Sequence, residues 1–275
     1  MLLSRRIPGV QRTLRSMRIM RGTLSAFVCA ALLCRPAAAI VGDAELADWG
    51  IVRPALMIAG PRGSVCSAAI IGRDLLLTAA HCVTAKSDIE CVDASSRAHI
   101  GTTDQSCVMA GRFVVTGPGS TWRGAKAIVL HPEYDHSQKR GPDLALVKLD
   151  GPLAANLTPA MLATRPVQRG DRLTIVGYGL NDSGKLDRKA RMATFTVDRS
   201  LRLIDPAPLG QEPKLGARGG DSGAPVFAMR LGSPLLVAIV TGREGTGIRT
   251  VIEPIAAHRE WIWSTAQQLG SQLGP

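Results

Sequence analysis

Three short stretches of the 275-residue chain carry side chains that could do chemistry together: "LTAAHC" (77–82), "GPDLALVKL" (141–149) and "RGGDSGAP" (218–225). Alone, each reads blandly. His81 is a histidine after an apolar run, Asp143 an acid at a strand edge, and Ser222 part of a glycine-rich turn. Together they supply what a serine nucleophile needs. A hydroxyl attacks a carbonyl only when a base takes its proton, and histidine suits that work near neutral pH. A carboxylate then fixes the imidazole tautomer and stabilises the imidazolium. The glycines before Ser222 let the backbone turn so that the Gly220 and Ser222 amides face a developing oxyanion.

Such residues need rigid elements to bring them together. Strand-length apolar or alternating runs recur at 53–59, 67–72, 74–80, 112–117, 126–131 and 143–149. After a gap they resume at 172–179, 191–197, 224–229, 235–242 and 248–253. Gly, Pro, Asp or Ser punctuates nearly every interval, the pattern of an all-β protein. Only the tail predicts a helix, with Ile255, His258, Ile262 and Ala266 at helical spacing, a start at Glu253-Pro254 and a stop at Gly270. Residues 149–166 lack strand periodicity and read as a linker between two β-rich halves.

Charge and cysteine usage bound the function. The formal net charge is +11, but residues 1–39 hold seven arginines and no acids. Without them, 26 basic residues face 22 acidic ones, an ordinary surface that does not call for nucleic acid. Those 39 residues have a basic stretch, an apolar run (Thr23–Leu33) and "AAA" before Ile40, the three zones of a secretory signal. The apolar run is about half the ~20 residues that span a bilayer, so no stable membrane anchor is expected. Cleavage after Ala39 leaves four cysteines, Cys66, Cys82, Cys91 and Cys107, which in an exported chain point to disulfides in one of three pairings. A zinc site from His81, Cys82, Cys91 and His99 matches no standard ligand spacing, and neither metal nor cofactor is expected.

In order along the chain, "IVGD" (40–43), "TAAHC" (78–82), "HPEYD" (131–135), "DLALVKL" (143–149), "GYG" (177–179), "GDSGAP" (220–225) and "EWI" (260–262) resemble the trypsin/chymotrypsin-like serine endopeptidases. The resemblance covers nearly all of the chain after residue 39. It implies two six-stranded antiparallel Greek-key barrels with a carboxyl-terminal α-helix and an active site in the cleft between them. Residues 40–152 would form the half carrying His81 and Asp143, and residues 153–275 the half carrying Ser222. It implies His81 as general base, Asp143 as orienting acid, Ser222 as nucleophile, and an oxyanion hole from Gly220 and Ser222. It further implies that the freed Ile40 ammonium pairs with Asp221, so that signal cleavage itself creates the activating terminus. Cys66–Cys82 would be the family's histidine-loop disulfide, leaving Cys91–Cys107.

Departures from the family pattern concern specificity. Arg218 stands where the family often has a cysteine, and Ala224 replaces a glycine. By that resemblance Gly216 occupies the position of the aspartate that selects basic substrates, and Thr241-Gly242-Arg243 forms the pocket wall, with Arg243 favouring an acidic substrate side chain, narrowing the pocket, or pointing into solvent. The resulting expectation is a secreted or periplasmic monomeric endopeptidase acting on polypeptides, with protein protease inhibitors as further partners. The competing reading is a catalytically weak homologue used as an extracellular binding protein, since fold does not guarantee activity. An α/β-hydrolase is excluded, because "GGDSGAP" is not a G-x-S-x-G elbow and His81 precedes Ser222.

Overall fold

A computed structural model of the chain describes residues 40, 44–59, 65–84, 114–116, 123–135, 137–138, 140–204, 215–230, 232–245 and 249–275. The expected signal segment and both Cys91 and Cys107 lie outside the described residues.

Fourteen strands and two helices are described. The first part contains β1 (Glu45–Leu46), α1 (Trp49–Val52), β2 (Ala55–Ala59), β3 (Val65–Gly72), β4 (Leu75–Thr78), β5 (Val114–Thr116), β6 (Ala125–Leu130) and β7 (Ala145–Leu149). The second contains β8 (Met161–Leu162), β9 (Arg172–Gly177), β10 (Arg191–Val197), β11 (Arg202–Ile204), β12 (Pro225–Arg230), β13 (Ser233–Glu244), β14 (Arg249–Pro254) and α2 (Arg259–Gln268). Six strands of the first part pair in the order β5-β2-β3-β4-β7-β6. In the second, β10-β11-β14-β13-β12-β9 returns to β10 and closes a six-stranded barrel. The expected all-β fold with its terminal helix is therefore present.

Alternation along the strands here separates two apolar environments rather than core from solvent. In β7, Ala145, Val147 and Leu149 enter the first barrel's core with Leu56, Ile58, Ile70 and Leu76. The alternate residues Leu144 and Leu146 join a second cluster with Leu75 and Leu77. That cluster also holds Val176, Phe227, Ile239, Ile262 and Ala266 from the other half, so it forms the seam between the halves. A third cluster, around Phe195, Ile175 and Val226, fills the second barrel. Side chains such as Leu76 and Phe195 are fully buried, each stabilising the fold by roughly 1.5–3 kcal/mol. Lys148, the one basic residue of this strand, is satisfied rather than exposed. Its ammonium donates to Asp74 at 2.5 Å and to Ser271 at 2.8 Å, and the Ser271 hydroxyl donates to Asp74 at 2.8 Å.

The halves exchange ends. β1 pairs with β10 of the second barrel through Glu45↔Met192 and Leu46↔Arg191, and Ile40 is buried in that barrel's core. The carboxyl terminus crosses the other way. Gly72 bridges Leu273, and the Gly274 amide donates to the Ile71 carbonyl at 2.7 Å.

Several short elements lie outside the sequence expectation. β8 sits inside the expected linker, paired in parallel with Leu235–Leu236. The four-residue α1 is held by its cap, the Asp48 carboxylate accepting from the Ile51 amide at 3.0 Å. The terminal helix begins later than periodicity suggests, because Ile255–His258 form a 3₁₀ turn before α2.

Candidate active site

Strand pairing brings His81 to Asp143. β4 and β7 are antiparallel neighbours with Thr78 opposite Ala145. Three residues beyond Thr78 and two before Ala145 therefore meet at the same strand end. His81 lies there in the 3₁₀ turn Ala80–Cys82. Its Nδ1 is 2.6 Å from Asp143 Oδ2, and its main-chain N–H donates to Oδ1 at 2.9 Å. One carboxylate thus grips both ring and backbone. With the proton on Nδ1, the free lone pair is on Nε2, at the open side of the ring. The side chains are 34% and 19% exposed, so the base is reachable while its partner is shielded. A Cys66–Cys82 disulfide, with S–S 2.06 Å and Cα–Cα 6.1 Å, ties the histidine turn to β3. It agrees with the pairing implied by resemblance. Cys66, His81 and Cys82 cluster closely enough to suggest metal ligation, but both sulfurs are joined to each other.

The Ser222 turn is clamped onto the first barrel by Ser67, a residue the sequence analysis does not single out. The Ser67 amide donates to the Ser222 carbonyl at 2.7 Å, and its hydroxyl donates to the Gly220 carbonyl at 3.0 Å. The same hydroxyl accepts from the Tyr178 amide at 3.0 Å. Its only local sequence signal is its place beside Cys66. Gly223, at φ +80°, is required by contact as well as by conformation. A Cβ there would lie 2.1 Å from both the Ser67 carbonyl oxygen and Thr78 Oγ1.

This turn also leaves two amides available. Asp221, Gly223 and Ala224 donate to the carbonyls of Arg218, Val240 and Asp221, respectively. Among the described residues, the amides of Gly220 and Ser222 have no acceptor. Nor does any hydrogen bond among them join Ser222 Oγ to His81 Nε2. That nitrogen lies 3.9 Å from Cys82 Sγ. The structure therefore brings His81 and Asp143 into direct contact and holds the Ser222 turn against the same barrel through Ser67.

Asp221 is wholly buried and accepts from the Gly179 amide at 2.9 Å and the Arg218 amide at 2.8 Å. The two glycines of "GYG" make room for it, since a Cβ at Gly177 or Gly179 would lie 2.2 or 2.5 Å from its Oδ1. Burial pushes its carboxyl up to about 7, against the pull of those two amides and of the Arg191 and Arg218 charges. Ile40 is buried in the same core cluster as Ala217 and Ala224, which flank Asp221 in sequence. Its nitrogen is a peptide amide in the uncut chain.

Of the expected pocket residues, Thr241, Gly242 and Arg243 lie on a strand edge with no partner among the described residues, and Gly216 lies in a bridge outside β13. Pro225, the first residue of β12, is opposite Ile239, so β13 runs on without β12. Over Gly242–Glu244 its described partner is β14 alone, after a bulge at Val240/Gly242. Gly216 is buried, Thr241 and Gly242 are half-buried, and Arg243 is exposed. The neighbouring Ala217 amide donates to the buried Thr250 hydroxyl at 3.1 Å.

Comparison with known proteins agrees with this geometry. The family model described as Trypsin matches residues 54–262. Phenoloxidase-activating factor 1 of Holotrichia diomphalia is 27% identical over 225 residues, covering 72% of this chain and 60% of that protein. Phenoloxidase-activating factor 3 of the same species is 24% identical over 250 residues, covering 80% of this chain and 70% of the relative. Human granzyme M is 28% identical over 171 residues, 60% of this chain and 57% of its own length. The chain thus spans 57% to 70% of these relatives' length. Others are named as serine proteases, among them the CLIP domain-containing serine protease B10 of Anopheles gambiae. No helix among the described residues is long and apolar enough to cross a membrane. The chain belongs to the trypsin family.

Proposed function

We propose that the chain is a secreted serine endopeptidase that cleaves polypeptides through an acyl-enzyme. His81 Nε2 removes the Ser222 proton as Oγ attacks the scissile carbonyl, and Asp143 holds the imidazole and stabilises the imidazolium. The oxyanion is received by the Gly220 and Ser222 amides, and His81 returns the proton to the leaving amine. An extended substrate adds as a strand along Thr241–Arg243. The observation that carries this reading is the double grip of Asp143 on the His81 ring and backbone. The two amides without acceptors support it. A fluorophosphonate applied to protein beginning at Ile40 tests it: labelling of Ser222 is expected, and an unreactive serine in that form overturns it.

Activation follows from Asp221. In the uncut chain its buried carboxylate has no ammonium partner among the described residues, which is costly unless it holds a proton. Cleavage before Ile40 would supply the ammonium from a residue already in the adjoining core. In the uncut form, the stability tied to Asp221 is greatest below the ordinary aspartate value near 4 and is lost as pH rises to about 7. Asp221→Asn should therefore remove that loss in the uncut chain, measured by urea unfolding at pH 5 and 8, and abolish labelling of the Ile40 form. In that form the paired α-amine has a pKa raised above about 8, so activity falls as alkaline pH deprotonates it.

The second reading, a catalytically weak homologue that binds rather than cleaves, draws on the missing Ser222–His81 hydrogen bond. Labelling separates the two. A weak homologue stays unreactive after cleavage at Ile40, whereas a precursor becomes reactive.

A further inference from the structure

Behind the His81–Asp143 pair lies a second set of titratable side chains that the proposed chemistry does not use. His131 ends the β6 segment, Glu253 lies in β14, and His258 closes the 3₁₀ turn before α2. His258 Nε2 is 3.1 Å from Glu253 Oε1, and His258 Nδ1 is 3.2 Å from His131 Nε2. The His131 Nδ1 accepts from the Glu133 amide at 3.3 Å. The imidazoles meet edge to face, with centroids 4.8 Å apart, and Trp261 of α2 packs on His131 at 4.7 Å.

Both ends of this chain reach the residues just before β7, Asp143 and Leu144. The Asp143 main-chain amide faces the Glu253 carboxyl and favours its ionised form. His131, at the other end, donates its own amide to the carbonyl of Leu144 at 2.9 Å. The contacts therefore gather the residues before β7, β14, the 3₁₀ turn and the residue after β6 into one cluster. It joins one barrel to the other.

Donor and acceptor roles admit one arrangement with neutral histidines and an ionised glutamate. The Glu133 amide occupies His131 Nδ1 as a donor, so His131 carries its hydrogen on Nε2. That hydrogen is donated to His258 Nδ1, so His258 carries its hydrogen on Nε2 and donates it to Glu253. Glu253 accepts from His258, and the Asp143 amide faces the same carboxyl. A proton added to either imidazole must go on an Nδ1 that already faces an N–H, and so must break a link.

We propose that Glu253, His258 and His131 form a one-directional hydrogen-bond relay that positions Asp143, and that acid opens it by placing a proton where a donor already points. The three are positioning residues, acting on the reaction through Asp143. The inference rests on the triad reading above only for its effect on rate.

The charged and titratable groups facing the relay fit this behaviour. Burial first, and then the neighbouring His258, hold His131 below the ordinary histidine value, while Glu133 pulls the other way. Burial raises Glu253, opposed by its hydrogen bond to His258, and Asp143 adds a like charge. Tyr134, from the turn after His131, faces Asp143 and is raised chiefly by burial, so it stays neutral. His81 lies beyond Asp143. Because His131 is depressed, the stability it carries is present above pH 6.5 and is lost as pH falls below it.

Two measurements test the proposal. Long-range ¹H–¹⁵N spectra of the folded chain at pH 7.5 should find His131 and His258 both neutral with the hydrogen on Nε2. Either one found with its hydrogen on Nδ1, or protonated, overturns the relay. This readout needs no catalysis, so it stands apart from the fluorophosphonate test. In the Ile40 form, the acid limb of kcat/KM should have a slope near two protons, from His81 and the relay. Glu253→Gln leaves one acceptor oxygen in place of two, turning an NH2 donor toward either His258 or the Asp143 amide, and should reduce that slope to one, lowering kcat while KM is little changed. A slope of one in the unsubstituted protein, or an unchanged slope in Glu253→Gln, overturns it.

Discussion

The two sides of the cleft solve the same placement problem differently. On the first barrel, the His81 turn is fixed by adjoining strand ends, a carboxylate that grips ring and backbone, and a disulfide to β3. On the second barrel, cysteines are absent from the sequence beyond residue 107. The Ser222 turn is instead shaped by close backbone approach: glycines at positive φ, a serine clamp from β3, and a buried carboxylate fitted between two glycines. The base side can be assembled as soon as its strands pair. On the activation proposed above, the nucleophile side depends on a charge that has no ammonium partner among the described residues of the uncut chain. That proposal puts regulation on the second side and robustness on the first.

Substitutions can sharpen that contrast. The largest effect is expected for Asp143→Asn, which keeps the shape but presents a donor to His81. The kcat of the Ile40 form should fall by about 10⁴-fold with little change in melting temperature, and a loss below tenfold would remove Asp143 from the proposed triad. Gly223→Ala should destabilise the fold by about 4 kcal/mol or more, because its Cβ meets backbone and Thr78 together. Urea unfolding measures this, and a near-neutral result would mean the clamp yields easily. Replacing Cys66 and Cys82 together by serine should cost about 3 kcal/mol on the chain-entropy view of a loop this size, with labelling of the folded protein retained. The smallest effect is expected at Arg243. As an exposed cation it should contribute no more than about 1 kcal/mol toward an acidic substrate side chain. Arg243→Ala should thus raise KM for such peptides about fivefold or less, and a profile preferring basic residues would end the acidic-specificity idea.

The fold is legible in the sequence where strands of four or more residues carry an apolar or alternating run. β4, β7, β9 and β10 fall within the runs that periodicity identifies. β1, β8 and β11 are two or three residues long, too short for a period-two signal, and exist because a neighbouring strand offers an edge. At the site, His81 and Asp143 were legible because each sits beside a recognisable strand, and Ser222 because its turn needs glycines. Ser67 was not legible, since a serine after a cysteine has no chemistry until Gly220 folds onto it. The relay was hidden for a stronger reason. His131 and His258 are 127 positions apart, and only the seam between barrels makes them partners.

The exchanged ends have a consequence for how the molecule comes into being. Residues Ser271 to Gly274 complete the first barrel through Lys148, Gly72 and Ile71, while Ile40 and the strand Glu45–Leu46 complete the second. Each half borrows residues from the far side of the other. Contacts that span so much chain must be closed before they repay the entropy of closing them, which makes folding slow and concerted. The first barrel cannot be finished until residues 271–274 have followed the second. A proteolytic cut in the linker between the halves should therefore yield two incomplete pieces rather than two small domains.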